Sequence, residues 1–226
     1  ESVRKFFLPL WNVYSFFVTY ANIDGFNPGS APAQEPASDL DRWIRSELEQ
    51  LVKEVTELLE EYNPTDSARR IEDFVDVLSD WYVRRSRRRF WKSENDQDKL
   101  SAYNTLYTCL TTLSKLLAPF APFVAEEMHR NLVLTAYPDA PESVHLAGWP
   151  KADESLIDKE LSEAMRLARR VSSLGRAARS KAGIRVRQPL AKVLVKTRSA
   201  KEGEALLRLA SQVSEELNVK EVTLLN

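Results

Sequence analysis

Apolar residues recur at helical spacing through most of the chain, and the pattern changes only near the C-terminal end. Between Val3 and Ala21, the positions Phe6, Leu10, Val13, Phe17 and Tyr20 predict an amphipathic helix. Asn27-Pro28-Gly29-Ser30-Ala31-Pro32-Ala33-Gln34-Glu35-Pro36 then reads as a loop. A second helix is expected from Asp39, capped by Ser38, with Leu40, Trp43, Ile44, Leu48, Leu51, Val55, Leu58 and Leu59 on one side. Tyr62-Asn63-Pro64 ends it. A third starts after Thr65-Asp66 and runs to about Trp91, with Ile71, Phe74, Val75, Leu78, Trp81 and Tyr82 as its stripe. Lys99 to Leu117 is helical through Leu106, Leu110, Leu113 and Leu117. Pro119 and Pro122 break the chain, because an interior proline removes a hydrogen bond and clashes with the preceding turn. Pro122 suits the first turn of a further helix, Phe123 to Leu132. A long helix follows from Leu156 to about Ser180. After Gly183 the period shortens: Leu190 to Lys196 alternates like a strand, Gly203 to Val213 reads as a helix, and Val219 to Leu225 reads as a second strand. A helical body with a small β-α-β tail is therefore expected.

Composition adds little to this until charge is placed along the chain. The net charge of the 226 residues is only −1. Yet Trp81 to Lys92 holds six basic residues and no acidic ones, and Glu163 to Arg187 holds eight basic against one acidic. Two positive patches on an acidic body can draw a polyanion to one face while the rest repels it. No apolar run approaches a membrane span, and Glu1-Ser2-Val3-Arg4-Lys5 does not read as a secretory signal. Cys109 stands alone in a leucine-rich helical pattern, so it is expected to be buried, inert and in a reducing, cytoplasmic setting.

Catalytic chemistry has no foothold in these residues. Neither G-x-x-x-x-G-K-[ST] nor G-x-G-x-x-G occurs, so no phosphate cradle is visible. One cysteine with His129 and His145 gives too few soft ligands for zinc. Glu126 and Glu127 beside His129 suggest an acid–base pair, but carboxylates at a helix start also answer the helix dipole.

The segment Trp81-Tyr82-Val83-Arg84-Arg85-Ser86-Arg87-Arg88-Arg89-Phe90-Trp91 is the strongest local feature. At about 100° per residue, Arg85 falls with Phe74, Leu78 and Trp81 on the apolar face. Arg85 and Trp81 are accordingly expected to be structural, with Arg85 satisfied by carboxylates or carbonyls. Arg84 can pair with Asp80. Arg87, Arg88 and Arg89 are left as phosphate binders, and Trp91 as a ring for an unpaired base, a contact contributing roughly 1–3 kcal/mol. Two readings stay open on the residues alone: an RNA-binding module, and a helical protein–protein scaffold whose aromatics are all core.

Several stretches, taken in order, resemble the anticodon-binding region of class I aminoacyl-tRNA synthetases, and most closely that of the isoleucine enzymes of the eukaryote-like branch. Lys5 to Phe17 is similar to the family's first bundle helix, and Leu40-Asp41-Arg42-Trp43-Ile44 to the opening of its second. Trp81 to Trp91, the run Leu116 to Glu127 around Pro119 and Pro122, and Ser143-Val144-His145-Leu146 with Trp149-Pro150 are similar in the same way. Arg187-Gln188-Pro189-Leu190 and Glu216 to Lys220 resemble the small module that follows the bundle. The same region of a valine enzyme is the nearest alternative within the family.

The resemblance implies a mainly α fold: an antiparallel helical anticodon-binding bundle over 1–152, a long basic connecting helix over 153–183, and a small α/β (β-α-β) module over 184–226. It implies a tRNA-binding portion of an isoleucine–tRNA ligase, itself non-catalytic. The family's H-I-G-H-like and K-M-S-K-S-like motifs and its editing insertion are missing here. ATP and magnesium would then belong to a catalytic domain elsewhere in the parent, with no cofactor in these residues. The implied partners are tRNA for isoleucine and the rest of the synthetase chain, and the implied state is a monomer away from membranes. Polar residues of the first bundle helix line the anticodon pocket in related enzymes, which makes Asn12 a candidate base reader. Lys181, Arg185 and Arg187, gathered around Gly183, are candidate phosphate contacts beside Arg87, Arg88, Arg89 and Trp91.

Overall fold

The computed structural model describes residues 3–29, 38–92 and 96–225. The loop expected from Asn27 to Pro36 lies outside them beyond Gly29. The chain forms two compact units that divide between Ile157 and Asp158. The first unit holds α1 (Leu8–Asp24), α2 (Asp39–Glu60), α3 (Pro64–Val77), α4 (Arg84–Trp91), α5 (Gln97–Leu117) and α6 (Pro122–His129). The second holds α7 (Lys159–Lys181), β1 (Leu190–Lys196), α8 (Ala200–Arg208), α9 (Ala210–Leu217) and β2 (Val219–Leu225).

Capping side chains set where most of these helices begin. The oxygens of Ser38, Asn63, Asp96, Asp158 and Ser199 each accept a hydrogen bond from a first-turn amide. Asn63 therefore starts α3 at Pro64, and Asp96 starts α5 at Gln97, slightly earlier than periodicity alone indicates. Pro122 occupies the first turn of α6, and Pro119 lies in the turn that precedes it. Trp43, Ile44, Leu48 and Val55 of α2, Ile71 and Val75 of α3, and Leu106, Leu110 and Leu113 of α5 are buried together as the first unit's core. Each such side chain contributes about 1.5–3 kcal/mol when fully removed from water. Cys109 lies in the same core, and burial pushes its thiol up to about 12, so it stays protonated and inert.

One irregularity in this unit reorients the arginine segment. Leu78–Val83 form a π-helical turn between α3 and α4. Trp81, Tyr82 and Val83 are all buried, which three successive residues of a regular α-helix cannot achieve on one stripe. A π turn accommodates one extra residue. The inward register beyond it advances by one, so that Tyr82, Ser86 and Phe90, four apart, face the core. An uninterrupted helical wheel sends Arg85 inward; the shifted register sends Arg89 inward instead.

In the second unit, β1 and β2 pair in parallel from Leu190↔Val219 to Lys196↔Leu225. The crossover between them is the helix pair α8 and α9, parted at Leu209. The long basic helix begins at Lys159, once Asp158 has capped it, and packs on α8 and α9 through Leu161, Met165 and Ala168. Gly175 permits the closest approach: a Cβ there would lie 2.5 Å from Leu217 Cδ1.

Candidate nucleic-acid interface

An RNA-binding face needs cations that the fold has not already neutralised and rings with an open side. In the first unit α4 supplies both. Arg87 and Arg88 are exposed, and among the described residues neither side chain makes an ion pair or hydrogen bond. Trp91, at the end of the same helix, is 58% exposed.

Arg89 does not belong with them. Its side chain is 12% exposed and grips the fully buried Asp41 through two hydrogen bonds of 2.7 Å, Nη1 to Oδ1 and Nη2 to Oδ2. Its Nη2 also donates to the Asp98 carbonyl at 2.8 Å, and its Nε lies 2.8 Å from Asp98 Oδ1. Tyr82 Oη and Ser101 Oγ donate to the two Asp41 oxygens at 2.7 and 3.0 Å. Burial alone would raise the Asp41 pKa, but the bonds and charge of Arg89, with those of Tyr82 and Ser101, outweigh it and hold the carboxyl below the ordinary carboxylate value. The same carboxylate holds Arg89 protonated against burial. The expectation that Arg89 faces RNA is thus corrected, and the π turn is the cause. Arg85, expected beneath the surface, lies half-buried with its guanidinium 5.3 Å from the Trp81 ring centre, a cation–π contact. Arg84 donates from Nε to the Asp80 carbonyl at 2.8 Å.

α1 runs alongside this region. Phe16 meets Phe90 edge-on with ring centres 5.1 Å apart. Asn12 lies one turn before Phe16 on the same face of α1 and is exposed. Next to it Trp11, 46% exposed, rests on Tyr14 with centres 5.0 Å apart. Burial raises the Tyr14 phenol, against a hydrogen bond with the Asn131 side chain that lowers it. Asn131 Nδ2 also donates to Glu127 Oε1 at 2.9 Å. Trp11 is a candidate that the periodicity reading passes over. Its signal was present, since it falls off the buried stripe of Leu10, Val13, Phe17 and Ala21.

Glu126 and His129 are occupied elsewhere. Glu126 Oε2 accepts from Ser143 Oγ and the Val144 amide, both at 2.9 Å, and His129 Nε2 lies 2.8 Å from the Pro141 carbonyl. The pair tethers the 141–144 loop to α6. Among the described residues no group of three or more His, Cys, Asp or Glu is placed to hold a metal ion. Among the same residues no helix is long and apolar enough to cross a membrane.

In the second unit Lys181, Arg185 and Arg187 are exposed around one turn. Gly183 provides the left-handed residue of that turn at φ +69°, and the Gln188 amide closes on the Arg185 carbonyl at 3.0 Å. Among the described residues none of the three side chains is paired.

Residues 41–195 match the family described as the anticodon-binding domain of tRNA ligase. The chain is 64% identical over 220 residues to an isoleucine–tRNA ligase of Dehalococcoides mccartyi, covering 97% of this chain and 22% of that protein. It is 51% identical over 226 residues to the isoleucine–tRNA ligase of Thermus thermophilus, covering 100% and 22%. With that of Bacteroides thetaiotaomicron the identity is 46%, over 98% of this chain and 19% of the relative. The chain thus spans about a fifth of the length of these relatives.

Proposed function

The chain belongs to the anticodon-binding domain family of tRNA ligases, and from that premise we propose that it is the tRNA-binding portion of an isoleucine–tRNA ligase. The observation that carries the reading is the identity of 64% and 51% to isoleucine–tRNA ligases over nearly the whole chain. The parent joins isoleucine to its tRNA with ATP and magnesium, in a catalytic domain that these residues do not supply, and works as a cytoplasmic monomer.

The tRNA contacts follow from which groups remain open. Arg87 and Arg88 meet phosphates and fix the register of the RNA, as do Lys181, Arg185 and Arg187 in the second unit. Trp91 and Trp11 offer ring faces to unstacked bases, and Asn12 presents an amide that both donates to and accepts from a base edge. Arg89 contributes by holding α4 in place.

A binding titration with isoleucine tRNA, and with the same tRNA carrying a changed anticodon, tests this. Saturable binding to the first and weaker binding to the second is expected. Equal affinity for both removes anticodon reading while leaving backbone binding. Absent binding at low salt removes the whole reading.

A further inference from the structure

We propose that Arg179 is the positioning residue of the basic turn after α7, and that it shapes Lys181, Arg185 and Arg187 into a prebuilt clamp for RNA backbone phosphates. The proposal rests on the tRNA-binding reading above and adds to it two residues that never touch the RNA.

Arg179 lies on the inner stripe of α7 and is only 5% exposed. Its Nη2 donates to the carbonyls of Arg185 at 2.6 Å and Val186 at 3.4 Å, and also to that of Gln188. The backbone from 185 to 188 is therefore folded around a single guanidinium. Asn218, at φ +49° just before β2, holds the turn from the other side: its Nδ2 donates to the Val186 carbonyl at 3.0 Å. The Ile184 amide, bonded to the Arg179 carbonyl at 2.9 Å, closes the turn at its start.

The charge of Arg179 is the telling part. Among the described residues no carboxylate pairs with it, and its Nε and Nη1 are buried without a hydrogen-bond partner. The cavity of about 260 Å³ that it borders is lined by apolar residues such as Ala178, Ile184, Leu190 and Val193 and by Lys192, with no acidic residue among them. A buried cation answered only by carbonyl dipoles is costly. Fixing a turn does not require one, since a neutral amide can also hold carbonyls. What the cation adds is a fourth positive charge within the nine residues 179–187, which contain no acid. It is buried in the same turn as three exposed cations that have no ion-pair partner among the described residues, and an anion at the turn feels all four. Because the turn is tied down from two sides, its ordering is completed on folding and not on binding.

The test is a salt series of isoleucine-tRNA binding for the unaltered chain, Arg179→Met, Asn218→Gly, Arg185→Gln/Arg187→Gln, and the triple variant Arg179→Met/Arg185→Gln/Arg187→Gln. Losing the two exposed arginines should flatten the slope of log K against log salt by about 1–2. Arg179→Met should flatten it by a similar amount although its side chain is buried. The triple variant should lose less than the sum of the Arg179→Met and Arg185→Gln/Arg187→Gln losses, because most of the positioning matters only while Arg185 and Arg187 are there to position. Asn218→Gly keeps the left-handed backbone and removes one hydrogen bond, so a smaller flattening in the same direction is expected. If Arg179→Met does not fold, Asn218→Gly decides. A folded Arg179→Met or Asn218→Gly with an unaltered slope overturns the proposal, as do losses that simply add in the triple variant. No binding by the unaltered chain at low salt defeats the underlying tRNA reading, and this proposal with it.

Discussion

Arg89 and Arg179 are both arginines on the inner face of a helix, and the fold treats them in opposite ways. Arg89 meets the carboxylates of Asp41 and Asp98, so its charge is neutralised where it stands. Arg179 meets three carbonyls and keeps its charge. The first arrangement is a staple: it joins α4 to the start of α2 and the start of α5, and it has nothing left to offer a ligand. The second builds a turn and leaves that turn positive. A count of basic residues makes the two alike; only their partners tell them apart.

The largest break of this comparison is at the carboxylate. Asp41→Ala leaves Arg89 buried without its main partner and should cost about 3–5 kcal/mol of stability in the first unit. Urea denaturation reads this directly, and an unaltered midpoint would remove the staple from the account. Trp91→Ala should weaken tRNA binding by about 1–3 kcal/mol while leaving stability nearly untouched, since the ring is exposed. Fluorescence titration and a melting curve on the same sample separate those effects; a loss of stability equal to the loss of binding would place Trp91 in the core instead. Acid should loosen the staple without mutation. The Asp41 carboxyl is held below its ordinary value in the fold, so its stabilisation is complete above the unfolded carboxylate pKa of about 3.9 and disappears as the pH falls through the folded value. Stability measured from pH 6 down to pH 3 should drop more steeply for the unaltered chain than for Asp41→Asn. Parallel curves would mean that Asp41 does not titrate differently on folding.

Most of the architecture was legible in the residues because it rests on period and punctuation. The leucine stripes place α2 and α5, and Ser38 marks the start of α2. The alternation at Leu190 to Lys196 and at Val219 to Leu225 gives both strands. What periodicity could not carry is the π turn at Leu78–Val83, because a wheel drawn at a constant angle has no place for an extra residue. The exchange of Arg85 for Arg89 follows from that alone. Two signals were present and unread. Asp41 falls in step with Ile44, Leu48 and Val55, and Arg179 in step with Ala168, Ser172 and Gly175, so each is a charged residue on a buried stripe. Such a residue needs a partner, yet the carbonyls that Arg179 finds have no sequence signature of their own.

The location of the interface is the claim on which the rest depends. Salt-dependent binding of isoleucine tRNA, measured for the unaltered chain, for Arg87→Gln/Arg88→Gln and for Arg185→Gln/Arg187→Gln, tests it most directly. The exposed arginines of both units that have no partner among the described residues are predicted to contribute, so each double variant should flatten the slope of log K against log salt by about 1–2 while its melting temperature stays where it was. Three identical slopes would contradict the account and place the RNA on some other face.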